Sequence, residues 1–278
     1  MFRGFLPVLA ILLVVSGCGG GGSLPIPDPP SAGPPEPPPE PPPDPPPDPP
    51  PEPPPEEPSP GGVWQGTSSL GSGVVGLVSE SGQFHFIQGD GGAQFVGRLS
   101  TSGDELSANF VGYVPFGEKF DDGSTTGVGS LSGNLDERSR ISADIDFTTS
   151  RGDTSHSTIA LTYDSIYERD SSRESVAGNY LDTERNVVIN VNNDGELFSQ
   201  DPRSHCITNG TVSVIDRAFN LYRVQYQFSN CKGREKVLNG TVAKGLAALD
   251  DTRSPEALIM GVEVAEAGHA FAGVFPRS

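Results

Sequence analysis

The sequence predicts an all-β fold, an antiparallel β-barrel or sandwich, for the part of the chain that follows residue 60. Apolar and polar residues alternate there over runs of about four to eight residues, which is the pattern of a half-buried strand. Turn sequences rich in glycine, asparagine and aspartate separate these runs at intervals of about ten residues. The one segment that could pass for a helix, Ala257–Ala267, contains valines and glycine neighbours and is interpreted as a strand.

The first element is a signal peptide over residues 1–17. Arg3 supplies a positive charge, and the apolar stretch Phe5–Val15 is too short to span a bilayer. The sequence Val-Ser-Gly-Cys at Val15–Cys18 resembles the lipobox of bacterial lipoproteins. The resemblance implies cleavage before Cys18, acylation of that cysteine with palmitate-like chains, and attachment to the membrane through the lipid. The alternative is an ordinary secretory signal with an incidental cysteine.

The second element, residues 18–60, is a Gly/Pro-rich acidic tether. From Glu36 to Glu56 an acidic residue occupies every fourth position, with three prolines between neighbours. Proline fixes φ and biases the preceding residue toward extended geometry, so Pro25–Pro60 is expected to form a polyproline II rod. At ~3.1 Å per residue, roughly 35 residues would reach roughly 110 Å. We interpret the tether as a spacer, with a docking site for a proline-recognition module as the alternative.

The strands after residue 60 are clearest in two runs. Every odd-numbered residue from Ile141 to Phe147 is apolar and every intervening residue is polar. The run Tyr222–Ser229 shows the same alternation on even numbers, and Ile159–Tyr163 is a shorter example. Each run is expected to place one face in a core and the other in water, as antiparallel strands do.

The two halves of this region resemble each other, which predicts a tandem duplication with units at 61–170 and 171–278. The segment Asp164–Val176 would join the units. The alternative is that any glycine-rich β protein shows such short matches. Three pairs of tripeptides carry the comparison: Gly62-Val63-Trp64 with Gly178-Asn179-Tyr180, Gly82-Gln83-Phe84 with Gly195-Glu196-Leu197, and Leu131-Ser132-Gly133 with Leu238-Asn239-Gly240.

Cys206 and Cys231 are predicted to form a disulfide near the open ends of a hairpin. They are an even pair in a chain expected to be exported, where oxidation is the default. By alternation, Cys206 falls on the same face of its strand as the apolar Val212 and Val214, whereas Cys231 falls on the face of the polar Arg223 and Gln225. We therefore expect a one-residue bulge at Gly210 or near Asn230.

Composition and motifs argue against several functions. The net charge is −18, so nucleic-acid binding is not expected. No catalytic motif is found, and we expect neither enzymatic activity nor a cofactor. His205 adjoins Cys206, but further ligands at metal-binding spacing are missing, so no metal site is expected. The four histidines are expected at surface or edge positions: His85, His156, His205 and His269.

Two weak resemblances concern the barrel. Gly62-Val63-Trp64 is similar to the Gly-x-Trp that opens lipocalins, a calycin family whose barrels hold apolar ligands. Gly261–Phe275 looks like the closing strands of barrel domains in transferrin-binding-protein-B-like surface lipoproteins, although this implies no ligand residue.

The expected function is a non-enzymatic β-rich binding module, displayed on a stiff arm by an outer-membrane lipoprotein and directed at an unidentified macromolecule. The residue after Cys18 is Gly19 and not aspartate. By resemblance to the sorting of bacterial lipoproteins, this favours the outer membrane over the inner membrane. Surface-facing and periplasm-facing orientations both stay open. The alternative function is a barrel-type carrier of a small apolar ligand.

Overall fold

The computed structural model describes residues 57–89 and 92–278, and β-strands dominate this part of the chain. The predicted signal peptide, Cys18 and nearly all of the tether lie outside the described residues. The helical elements are α1 (Arg173–Val176) and the 3₁₀ turns Ser165–Glu168, Gly233–Leu238 and Ala265–Ala267. No helix among the described residues is long and apolar enough to cross a membrane.

The first eight strands form a closed antiparallel barrel, which confirms the predicted fold class. Each strand pairs with its neighbours in the chain, and β1 also pairs with β8, which closes the ring. The strands are β1 (Gly62–Ser68), β2 (Gly73–Val78), β3 (Gln83–Gln88), β4 (Gln94–Ser102), β5 (Glu105–Pro115), β6 (Thr126–Asp136), β7 (Arg140–Thr149) and β8 (Thr154–Asp164).

The remaining eight strands repeat this up-and-down order. A single antiparallel bridge joins Tyr180, in the first of these strands, to Arg277, directly after the last strand. We call this set of strands the second barrel. A two-residue parallel ladder between β5 and β16 connects the two sets of strands. The strands are β9 (Gly178–Asp182), β10 (Val187–Val191), β11 (Glu196–Gln200), β12 (Ile207–Val214), β13 (Tyr222–Ser229), β14 (Val242–Asp250), β15 (Ala257–Val264) and β16 (His269–Pro276).

The period-two pattern builds a separate core inside each set of strands. The apolar residues of β7 and β13 are buried, and the polar residues between them are mostly exposed. The first barrel is filled mainly by rings and branched side chains, among them Trp64, Phe84 and Phe110. The second is filled by residues such as Tyr180, Tyr222 and Val262. Alternation in the sequence therefore fixes which face of each strand enters a core.

Two of the three tripeptide matches fall at equivalent places in the two sets of strands. Trp64 and Tyr180 are fully buried near the starts of β1 and β9. Gly82 and Gly195 precede β3 and β11 with φ values of 81° and 80°, a conformation that favours glycine. A Cβ at either position would collide with a backbone carbonyl of the neighbouring strand.

The third match is wrong. Leu131 lies inside β6, whereas Leu238 ends the 3₁₀ turn that connects β13 to β14. Strands β6 and β14 begin 116 residues apart, whereas Leu131 and Leu238 are separated by 107, so the two leucines do not occupy equivalent positions. The domain boundaries at residues 170 and 171 stay a prediction.

Cys206 and Cys231 are joined by a disulfide at the open end of the β12–β13 hairpin. The strand register runs without interruption from Ile207 opposite Ser229 to Val214 opposite Tyr222, so there is no bulge at Gly210. The alternation of faces along β13 is interrupted just beyond the pair of Ile207 and Ser229, at Asn230, which has a φ of 57°. A left-handed residue thus turns Cys231 toward its partner, near the second of the two places expected for a bulge.

The outer faces of the two barrels pack against each other along an apolar seam. Val63 and Leu77 point outward from the first barrel and meet Leu246, Ala248 and Ile259 of the second. The strands in the seam are buried on both faces, so they have nearly continuous apolar sequences. We call this cluster the seam; Tyr167 and Phe219, whose rings stack 4.9 Å apart, extend it at one end.

We predict that replacing both hairpin cysteines, Cys206→Ser with Cys231→Ser, lowers the free energy of unfolding by roughly 3 kcal/mol. The disulfide closes a separation of 25 residues, and its loss releases loop entropy in the unfolded chain. Urea unfolding followed by circular dichroism measures the change. Wild-type protein unfolded with a reductant is the matched control and should show the same loss. Equal stability of variant and oxidised wild type would contradict the prediction.

Candidate functional site: the mouths of the two barrels

The end of the first barrel formed by the turns after β1, β3, β5 and β7 is hollow. The cavity there has a volume of about 620 Å³. Its wall combines apolar residues, including Val74, Phe86, Ile145 and Ile159, with polar residues of the surrounding turns. Because an antiparallel meander places alternate turns at the same end, these four turns form one rim. We call this cavity the first mouth.

Aromatic packing limits the depth of the first mouth. Phe95 lies 5.2 Å from Phe110 and 5.6 Å from Phe147, with the rings edge to face. Phe120, from the loop after β5, lies 5.2 Å from Phe147 and contributes to the rim. Below these rings the barrel is filled by its core. The first mouth is therefore a cup at the end of the barrel.

The loop that carries Phe120 is held by one carboxylate. Asp122 Oδ1 accepts hydrogen bonds from the Ser124 backbone N–H at 2.8 Å and from its hydroxyl at 2.6 Å. Thr149 Oγ1 donates to the other oxygen of Asp122. The hydrogen bonds from Ser124 and Thr149 lower the pKa of Asp122. The segment predicted from sequence as a turn thus positions an aromatic side chain at the rim.

The second barrel has a smaller cavity of about 200 Å³ at the end formed by the turns after β9, β11, β13 and β15. We call it the second mouth. The disulfide-bonded residue Cys206 and the 3₁₀ turn Gly233–Leu238 contribute to its wall. Phe116 reaches it from the first barrel, with its ring 5.1 Å from His269 and 6.3 Å from Phe271.

The two mouths therefore lie on the same side of the molecule. The loop after β5 supplies Phe120 to the first mouth and begins with Phe116 at the second. The two most exposed large apolar side chains among the described residues are on the rims: Leu70 at 65 % and Val237 at 66 %. Leu70 lies in the turn after β1 and Val237 in the turn after β13, so each mouth carries an exposed apolar side chain at its rim.

The chain enters the first barrel at the opposite end. Glu57 accepts a hydrogen bond from the Gly103 backbone N–H at 2.8 Å, and the Ser59 backbone N–H donates to Glu137 at 3.3 Å. Gly103 and Glu137 belong to the turns after β4 and β6, which lie at the end away from the first mouth. The entry point and the mouths are thus on opposite ends.

The seam contains a polar pair that sequence reasoning missed. His85 is fully buried, with Nε2 3.4 Å from Glu263 Oε2 and Nδ1 3.5 Å from Gln94 Oε1. Burial lowers the pKa of His85 to about 4 and raises that of Glu263 to about 7. Burial disfavours both charges, so the pair holds a single proton across the mildly acidic range.

The expectation of a surface or edge position for His85 is wrong. Its side chain points out of the first barrel, as the alternation predicted, but the second barrel covers that face. His156 and His205 are exposed, as expected. His156 Nδ1 lies 3.0 Å from an Asp146 carboxylate oxygen across the β7–β8 pair. No described residues form a cluster of three or more His, Cys, Asp or Glu side chains able to hold a metal ion.

Comparison with protein-family models, with curated proteins and with solved structures finds no match to this chain. The functional argument therefore depends on the geometry of the mouths and on the N-terminal sequence.

We predict opposite pH dependences for two variants of the seam pair. A carboxyl whose pKa rises on folding stabilises the fold at low pH, and this contribution is lost as pH rises toward the folded value. The free energy of unfolding of Glu263→Gln, relative to wild type, should therefore increase from pH 4.5 to 7, by a few kcal/mol (~3).

The second variant, His85→Gln, removes a group whose pKa is lowered by folding. Neutral His85 contributes stability that is complete above pH 6.5 and is lost as pH falls toward 4. Relative to wild type, this variant should lose stability as pH rises from 4 to 6.5. Urea unfolding at several pH values measures both differences. Parallel pH profiles for wild type and both variants would contradict the assignment.

Proposed function

We propose that this protein is a lipid-anchored lipoprotein of the outer membrane whose two barrels form a non-enzymatic binding module. The face that carries both mouths is the binding face. The observation that carries the proposal is the position of chain entry, since Glu57 and Ser59 are held at the end opposite the mouths. An anchor attached through this end would leave the mouths directed away from the membrane.

The N-terminal sequence supports the anchor. The lipobox-like Val15–Cys18 supplies a residue for acylation, and the repeated acidic proline tract supplies a spacer. A stiff spacer sets the reach of a module without adding a contact of its own.

The interior of the first barrel supports recognition at the surface. Rings such as Trp64, Phe84 and Phe110 fill the barrel below the first mouth, so a large cargo has no room inside. The rims, by contrast, expose Leu70 and Val237. We therefore infer a macromolecular partner that contacts the rims.

We predict that negative charges introduced at the rims strongly reduce the amount of partner protein that the module retains. The double variant Leu70→Asp with Val237→Asp should retain at least fivefold less protein from envelope or host extracts than the wild type does. The matched control is Val274→Asp, since Val274 is 41 % exposed near the end of β16 that lies away from the second mouth. Quantitative mass spectrometry of retained proteins measures the effect. Equal retention by the rim variant, or no retained protein with wild type, would contradict the proposal.

We predict that the mature protein begins at an acylated Cys18. Metabolic labelling with a fatty-acid analogue and mass spectrometry of the N-terminal peptide should detect acyl chains on this residue. Cys18→Ser should lose the label and the membrane association together. An unacylated mature N-terminus would contradict the anchor. Protease shaving of intact cells then distinguishes a surface-facing module from a periplasm-facing one.

The second candidate function is a carrier of a small apolar ligand. The first mouth favours it, since it has a volume of about 620 Å³ and a wall that includes Val74, Phe86, Ile145 and Ile159. An apolar compound that co-purifies with the protein, detected by native mass spectrometry, would support the carrier over the display module.

A further inference from the structure

The second mouth has the features of a site for a small molecule. We propose that it binds a neutral aromatic compound with one hydrogen-bonding group, of the phenol or indole class. This site is separate from the macromolecular contact proposed for the rims, and it requires neither the lipid anchor nor the arm.

The size and lining of the cavity select an apolar ring. Its inner wall includes Ile189, Leu197, Met260 and Phe275, all buried in the core of the second barrel. The volume is about 200 Å³. In another protein, an engineered apolar cavity of about 150 Å³ binds benzene. The second mouth is therefore of the size that admits one ring or two fused rings.

A tyrosine hydroxyl in the wall favours a polar substituent on that ring. Tyr226 lines the cavity and is 7 % exposed. Among the described residues, none forms a hydrogen bond with its hydroxyl, and burial raises its pKa. Tyr167 and Tyr180 instead donate to Glu80 at 2.9 Å and to the Val176 carbonyl at 2.8 Å. The Tyr226 hydroxyl is therefore available to hydrogen-bond a polar group of a ligand in the cavity, and such a bond strengthens the binding of a ring that carries one.

Charges of both signs line the second mouth, three acidic and two basic, which favours a neutral ligand: Asp182, Asp201, Glu235, Arg185 and Arg234. Arg185 lies 3.8 Å from Asp182 and is placed over the Phe271 ring at 4.9 Å. Asp201 is engaged by its own loop, accepting from the Arg203 backbone N–H at 2.7 Å and from the Ser204 hydroxyl at 2.8 Å. No single sign of charge dominates the entrance, so the field gives no preference for an anion or a cation.

Aromatic side chains surround the entrance. Phe228 lies 5.3 Å from Tyr226 and 5.4 Å from Phe271, and Phe116 covers the same side from the first barrel. Rings at these distances make edge and offset contacts, and an aromatic ligand can join them. The geometry thus favours a planar aromatic ring over a flexible aliphatic chain.

Calorimetric titration of the purified full chain with p-cresol, indole and toluene tests the proposal. Saturable binding of all three is expected. Tyr226→Phe should weaken the affinity for p-cresol by about threefold to tenfold and leave the affinity for toluene unchanged. Of these two probes, only p-cresol has a hydroxyl that can hydrogen-bond Tyr226. Leu197→Trp fills the cavity and should abolish binding of each probe. The matched control, Val128→Trp, adds the same ring on the exposed outer face of β6 in the first barrel and should leave binding intact.

Tyr226→Phe removes one oxygen and keeps the ring, so this comparison stays informative if Leu197→Trp fails to fold by circular dichroism. The proposal is overturned by three results: no saturable binding, an unchanged ratio of p-cresol to toluene affinity in Tyr226→Phe, or loss of binding in Val128→Trp. Each result leaves the retention experiment with the rim variant unaffected, so failure here is distinguishable from failure of the display module.

Discussion

The seam between the outer faces of the barrels is the contact on which the rest of the arrangement depends. A barrel alone needs apolar residues only on its inner face, yet β1, β2, β14 and β15 also carry apolar residues on the outside. Burial of these side chains holds the barrels side by side, and it also keeps both mouths on one side. Gly261 allows the close approach, since a Cβ there would lie 2.9 Å from Ile87 and 3.0 Å from Gln94.

The polar pair inside the seam adds specificity to this apolar contact. His85 comes from β3 and Glu263 from β15, so the two side chains face each other across the boundary between the barrels. Gln94, which lies near His85, also donates to the Val262 carbonyl at 3.4 Å. Buried polar groups tolerate few alternative arrangements, because each misplaced group would lose its partner. The seam therefore fixes one relative position of the barrels.

Much of the fold could be predicted from the sequence because alternation reports directly on a half-buried strand. The buried residues of β7 and β13 match that pattern, and Ala257–Val264 is a strand as expected. The burial of His85 could not be predicted in this way, because alternation gives the side of a strand and not what covers that side. The continuous apolar runs in β14 and β15 were the available signal, since strands buried on both faces have such sequences.

The mouths were beyond sequence reasoning for a different reason. Whether the end of a barrel is filled or hollow depends on how side chains from alternate turns and strands fit together, and no local pattern records this. Phe116 is an example, since it belongs to the first barrel but lines a cavity in the second. The disulfide was predictable because two cysteines in a chain expected to be exported have few alternatives. The sequence left two places for the irregularity beside it, Gly210 and the neighbourhood of Asn230, and the structure has it at Asn230.

The way the chain enters the first barrel has a mechanical consequence. Trp64 is fully buried, and its indole N–H donates to the Pro60 carbonyl at 3.1 Å. The strand that follows, β1, has six residue pairs with β2 on one side and six with β8 on the other. A pull applied through Pro60 along β1 would load both ladders in shear, so many backbone hydrogen bonds must break together. The point of attachment is thus built to carry tension.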